Sequence, residues 1–218
     1  MDKPTHYVEV RILPLDGDKL SGGDVALVTT KVMTAIHLHI VEGHQVAVSF
    51  PNLRVTPLKD PRGNVSEPMG TGNIIRVFGD AMSLMSLLVR QDFAFLIGAA
   101  ACSVGKQAIR EVPPVSTWEI YERDRRTERE TPAYVERSGQ RLLGRIASGR
   151  SPGRTASDVR ERADKLAEKS ATRLPPYVHI ASSSTGQQFR IFLRREASEE
   201  FRSAPVSTYG LGVPVPSF

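Results

Sequence analysis

What most constrains the fold of this chain is a switch of hydrophobic period that repeats along its first half. His6 to Leu13 (HYVEVRIL) alternates apolar and polar residues at period two, the pattern of a half-buried strand. A turn-rich stretch follows, Asp16 to Gly23. Val25, Val28, Val32 and Ile36 then recur at helical spacing, with Asp24 placed to cap a helix and Gly43 to stop it. His44 to Phe50 (HQVAVSF) returns to a strand and closes at Pro51. A Pro/Gly-rich loop leads to a third strand (NIIRVFG, Asn73 to Gly79), a second helix is expected over Ala81 to Gln91, and a fourth strand within Lys106 to Val112. The order β-α-β-β-α-β is the ferredoxin-like arrangement. That fold hosts many functions and by itself implies no chemistry.

Pro113 and Pro114 mark a boundary, so the expected division is a ferredoxin-like (RRM-like) domain over residues 1–115 and a second part over 116–218. The second part opens on the densely charged run TWEIYERDRRTERE. A helix is expected from Pro132 to Ile146, a short linker from Gly149 to Thr155, and a mixed Arg/Lys/Glu/Asp helix from Ala156 to Ala171. Two strands (YVHIAS and QQFRIFLRR) and a Gly/Pro-rich tail complete an α+β chain whose C-terminal part is α/β and carries an arginine-rich helix.

The charge is uneven along the chain. The net charge is +5 and the sequence pI about 9.6, a balance that permits polyanion binding without requiring it. More informative is the helix from Pro132, where Arg137, Arg141 and Arg145 stand at i, i+4 and i+8 on one face. Arg150 and Arg154 continue the series, and no acid falls between Arg137 and Arg154. A merely solvated face interleaves acids, as the next helix does; this one suits a track of phosphates along a nucleic-acid groove. Arg126 and Glu128 lie just before it. An arginine can read guanine bidentately and a nearby Glu another base, although alone the signal is weak and the pair reads as an exposed charged loop. The string Ser182-Ser-Ser-Thr-Gly-Gln-Gln-Phe189-Arg190 clusters hydroxyls in a tight turn between two strands. Phe189 follows, either as a ring that stacks on an unpaired base or as a buried core residue.

Other classes find little support. The single cysteine, Cys102, excludes a disulfide framework and a Cys-rich zinc site, and its apolar surroundings suit a core position. The five histidines form no H-E-x-x-H, and His37 and His39, two apart on a helix, face different directions, so no metal site is expected. The polar start MDKPTHYVEV is unlike a signal peptide. The longest apolar stretch, about Phe93 to Val104, is short and interrupted for a membrane span. A cytoplasmic protein with no membrane association is expected.

Several strings in order carry a resemblance: HYVEVRILP near the start, VAVSFPNL (Val46 to Leu53), SSSTGQQFRIFLRR (Ser182 to Arg195) and YGLGVPVPSF at the end. With the arginine-rich middle, they resemble the CRISPR-associated repeat endoribonucleases of type I-F systems. The resemblance implies a ferredoxin-like domain and an arginine-rich helix lying in the major groove of a CRISPR repeat hairpin, the place of Arg137, Arg141 and Arg145 here. It implies an Arg-x-Gln that reads base pairs at the bottom of the stem. Arg126 matches the Arg, while Glu128 stands where Gln is usual and so bears on base preference. Phe189 matches the aromatic that stacks on the last stem base, Ser182 the family's catalytic serine, Ser184 and Thr185 positions around the cleavage site, and Tyr209 a tyrosine that orders the active site. The implied partners are the repeat hairpin, the crRNA that remains bound as product, and other subunits of a type I-F-like surveillance complex.

The chemistry is coherent without a cofactor or metal. RNA supplies its own nucleophile, the ribose 2′-OH, and the protein must deprotonate it and hold it in line; histidine is the residue type suited to that proton. The family's catalytic histidine falls at His37 when the upstream positions Val28, Val32 and Ile36 are matched, and at Met33 when Lys31 is the anchor. His37 is favoured because the reaction needs a base. With Met33 in that place the chain would hold the hairpin without cutting it, or use another base such as His39.

Overall fold

The structure is a computed structural model and describes residues 1–16, 19–54, 58–59, 65–67, 70–115, 117–151, 155–170, 176–181 and 188–218. Packing divides the chain into two compact units, Met1–Arg123 with Pro176–Phe218, and Asp124–Pro175. The division expected at residue 115 follows the chain linearly. Packing divides it otherwise because the strands that follow the helices pair with the strand that precedes them.

In the first unit β1 (His6–Ile12) leads into α1 (Gly22–Val41), then β2 (Ala47–Ser49), a short hairpin of β3 (Leu58–Lys59) and β4 (Val65–Glu67), and β5 (Ile74–Gly79). Next come α2 (Ala81–Val89), α3 (Gln91–Gly98) and β6 (Cys102–Glu111). The antiparallel sheet has the order β2-β5-β1-β6, the ferredoxin-like arrangement expected from the alternation of periods. Val8, Val10 and Ile12 of β1 and Ile75 and Val77 of β5 are fully buried at period two, the alternation that first marked β1 as a strand. The helices α1, α2 and α3 cover the sheet.

Local chemistry shifts several boundaries. The N-cap of α1 is Ser21 rather than Asp24. The Ser21 hydroxyl accepts from the Asp24 N–H at 3.1 Å and the Asp24 carboxylate accepts from the Ser21 N–H at 2.9 Å, a capping box in which Asp24 is the third helical residue. Gly43 follows the helix end at φ 103°, a left-handed turn that favours glycine. The helix expected over Ala81–Gln91 ends at Val89. Arg90 is extended (φ −57°, ψ 136°), and α3 sets off at 67° so that Phe93 and Leu96 reach the core. The fourth strand starts at Cys102, earlier than expected, with Cys102 opposite Ile12. A register shift between Val8 and Val10 breaks the alternation that would have revealed it. By length and composition alone α1 could cross a membrane, with mean hydropathy 1.3; here Val28, Val32, Met33, Ala35 and Ile36 on it are buried in the core.

A second antiparallel sheet belongs to the same unit, in the order β10-β7-β9-β8: β7 (Trp118–Arg123), β8 (Tyr177–Ala181), β9 (Gln188–Ser198) and β10 (Pro214–Pro216). The charged run after Thr117 thus begins as a strand. Its acids are matched across the pairing, Glu122 with Arg194 and Glu119 with Arg195, while Trp118 and Tyr121 are buried. α1 packs on β8, so one helix touches both sheets, and a single core runs through Phe50, Phe78, Tyr121, Ile180 and Leu193. On the other face of the first sheet, Phe218 meets Tyr7 edge-on at 5.0 Å and Phe78 at 6.3 Å. Arg76 lies 4.4 Å over the Phe218 ring, donates to its carbonyl and pairs with Glu9 at 3.0 Å.

The second unit holds α4 (Arg125–Glu130), α5 (Pro132–Ala147) and α6 (Ala156–Ser170), packed on one another. Thr131 caps α5 with Pro132 in its first turn, and Gly139 of α5 faces Val159 of α6.

Candidate functional site

His37 lies in the last turns of α1, on the flank of the helix rather than on its buried stripe, and is half-buried. Its Nδ1 is 2.8 Å from the backbone carbonyl of Thr208. The imidazole stacks on the Tyr209 ring, centroids 4.5 Å apart and planes within 15°. Tyr209 in turn meets Phe189 edge-on at 6.3 Å. Three candidates distant in sequence, His37, Phe189 and Tyr209, therefore form one aromatic row at the surface of the first unit. Burial raises the pKa of the Tyr209 phenol, partly opposed by the charge of Arg123, so the ring stays neutral beside the imidazole.

Residues 207–211 hold that row in place. The Ser207 hydroxyl accepts from the Leu211 N–H at 3.0 Å, the Gly210 N–H reaches the Ser207 carbonyl at 2.9 Å, and the Gly210 carbonyl accepts from the Val48 N–H of β2 at 2.8 Å. Gly210 has φ 74°, and a Cβ there would stand 2.6 Å from a Val48 methyl, so both conformation and space call for glycine.

Phe189 lies in β9 opposite Ile180, and the last pair of that ladder is Ala181 with Gln188. Ser182, Ser184 and Thr185 follow in the sequence and lie outside the described residues. The two alternatives to His37 on α1 point elsewhere. Met33 is 1% exposed, within the core. His39 is fully buried, its Nε2 donating to the Ser83 carbonyl at 2.9 Å and its ring stacked on His44.

The remaining candidates belong to the second unit. Arg126 and Glu128 lie on α4, a helix of six residues where the sequence suggested a charged loop; the Asp124 carboxylate caps it by accepting from the N–H groups of Arg126 and Thr127 at 3.0 and 3.1 Å. Arg137, Arg141 and Arg145 are all exposed on α5, at the spacing read from the sequence. Four residues advance a helix by about 6 Å, so the three guanidinium groups form a row able to follow phosphates. Among the described residues no group of three His, Cys, Asp or Glu side chains is arranged to hold a metal ion.

Sequence reasoning passed over the Thr208 carbonyl and Gly210. The signal was present in the Tyr-Gly-Leu string, where a glycine beside the matched tyrosine marks a turn, but a main-chain acceptor has no signature in side-chain types. No curated protein matches the chain. Residues 7–218 match the protein family described as CRISPR-associated protein (Cas_Csy4). Since that match runs from β1 to Phe218, the chain belongs to the Csy4 family of CRISPR-associated endoribonucleases, which cut CRISPR repeat hairpins without a metal.

Proposed function

We propose that His37 is the general base of the cleavage this chain performs, with Tyr209 holding its ring, Ser182 placing the ribose and Phe189 stacking on the last base of the stem. The activity itself follows from the family: the chain cleaves CRISPR repeat hairpins in precursor crRNA, keeps the 3′ stem-loop of its product, and acts within a type I-F surveillance complex in the cytoplasm. In that reaction the 2′-oxygen gives up its proton and forms a bond to phosphorus, the bond from phosphorus to the 5′-oxygen breaks, and the leaving oxygen takes a proton from water. The products are a 2′,3′-cyclic phosphate and a 5′-hydroxyl.

The observation that carries the assignment is the placement of His37 in one row with Tyr209 and Phe189, the last of these in β9 one residue from the end of its pairing with β8. Met33 and His39, on the same helix, face the interior. A flat aromatic face on the imidazole also favours the cation formed once it takes the proton. In the second unit, Arg137, Arg141 and Arg145 supply phosphate contacts in the hairpin groove and Arg126 and Glu128 read bases at the foot of the stem; in the first, Ser184 and Thr185 contact RNA around the cleavage site.

The test is single-turnover cleavage of the host's repeat RNA in EDTA, comparing wild type with His37→Ala. The variant should cleave about 10²- to 10⁴-fold more slowly, the range for a lost general base, while still binding the hairpin. An undiminished rate would remove His37 from the reaction. Tight binding without cleavage by either protein would make this chain a hairpin-holding subunit.

A further inference from the structure

We propose that the Ser207–Leu211 turn is a positioning device that fixes the tautomer of His37, making Nε2 its proton-accepting nitrogen. The inference rests on His37 being the base and adds which of its atoms acts and what sets that choice. A neutral imidazole carries one proton on either Nδ1 or Nε2, and only the bare nitrogen can act as a base. Nδ1 lies 2.8 Å from the Thr208 carbonyl oxygen. A carbonyl oxygen can only accept, so the contact is a hydrogen bond only with the proton on Nδ1. Nε2 is then bare.

This is the reverse of the preference of a free imidazole, which favours the proton on Nε2. The turn therefore has to hold its acceptor firmly. The Thr208 carbonyl is fixed from both sides. Upstream, the Ser207 hydroxyl accepts from Leu211 at 3.0 Å and from Tyr209 at 3.4 Å. Downstream, Gly210 is tied to β2 through Val48, and the Gly212 N–H reaches the Tyr121 carbonyl of β7 at 2.9 Å. The turn is thus anchored to both sheets of the first unit. The stacked Tyr209 ring fixes the imidazole plane, and the Thr208 carbonyl lies within hydrogen-bond reach of Nδ1 in that orientation. When Nε2 takes the 2′-OH proton, the Nδ1–H bond to Thr208 persists and strengthens, because a charged donor binds a carbonyl better than a neutral one.

Nitrogen-15 NMR of histidine-labelled protein reads the tautomer directly, with the His37 signals assigned by their loss in His37→Ala. At a pH where the ring is neutral, wild type should show a protonated Nδ1 and a bare Nε2. A protonated Nε2 in wild type would overturn the proposal. Ser207→Ala removes the turn's hydroxyl acceptor, and Gly210→Ala drives a methyl against Val48. Each should move His37 toward the Nε2–H form and slow cleavage by about tenfold or more, within the range that general-base catalysis spans, with hairpin affinity retained. Slowed cleavage with an unchanged tautomer would mean that the turn acts only as scaffold, and would also overturn the proposal. Should Gly210→Ala fail to fold, Ser207→Ala and the wild-type spectrum still decide. The two readings fail separately: cleavage surviving His37→Ala would sink the base assignment, whereas a protonated Nε2 in a protein that needs His37 would sink only the tautomer.

Discussion

His37 and His39 stand two residues apart on α1 and so project on nearly opposite sides of it. One stacks in the aromatic row with Tyr209. The other is buried on Ser83 and His44, its Nδ1 without a hydrogen-bond partner among the described residues. Burial, followed by the electrostatic influence of the stacked His44, holds the pKa of His39 below the ordinary imidazole value. A histidine whose folded pKa is depressed stays neutral while the unfolded chain takes up a proton. Its stability is therefore intact above the unfolded pKa of about 6.5 and is lost as pH falls from there toward the folded pKa. Urea unfolding at pH 7.5 and 5.5 should show wild type less stable at the lower pH. His39→Gln, which keeps a donor for Ser83, should reduce the difference without abolishing it, because burial also depresses His179. Phe189 is a second residue with two duties, half-buried against the core yet set edge-on to Tyr209. Phe189→Ala should weaken hairpin binding by about 1–3 kcal/mol, the worth of one base stacked on an aromatic ring, while thermal unfolding stays cooperative. Loss of folding would instead mark the ring as core. The choice between Met33 and His37 was not legible from spacing, since residues four apart share a helix stripe. Only packing shows that Met33 falls on its inner edge.

Among the elements, α5 was the most legible. Its arginine row could be read at helical spacing because exposed residues follow the helix period without interference from packing. Arg141→Ala should weaken hairpin binding across salt concentrations and lower the salt slope by about one, as expected for one lost phosphate contact. An unchanged slope in a salt titration would remove α5 from the interface. β7 was the least legible element, because half of its residues are charged. Charge reads as loop until the partner strand is known, and Arg194 and Arg195, the partners of its acids, lie more than seventy residues away. The cap of α1 was missed by three residues for a simpler reason. Asp24 is a good cap by type, and the serine that outcompetes it belongs to a turn-like run, Ser21-Gly22-Gly23, that looks unhelical.

Across the first unit, the two sheets are joined at Tyr121, fully buried, whose hydroxyl donates to the Phe50 carbonyl at 3.2 Å or to the Glu119 carboxylate at 2.7 Å. Tyr121→Phe should cost about 1–3 kcal/mol in denaturant unfolding, because it strips a partner from buried acceptors while leaving the ring in place. The linear order of elements was legible from period alone. The return of Pro176–Phe218 to the first unit was not, since strand partners are chosen by edges that no local pattern records. The Phe218 contacts carry a consequence for how this molecule reads RNA. In many ferredoxin-like RNA-binding modules the bare side of the sheet is a reading desk, with rings on its central strands to receive splayed bases. Here Tyr7 and Phe78 occupy those strands, but the desk is already taken, with Phe218 laid across it under Arg76. A platform whose central rings are already covered by the chain's own Phe218 has no open face on which to stack a splayed base.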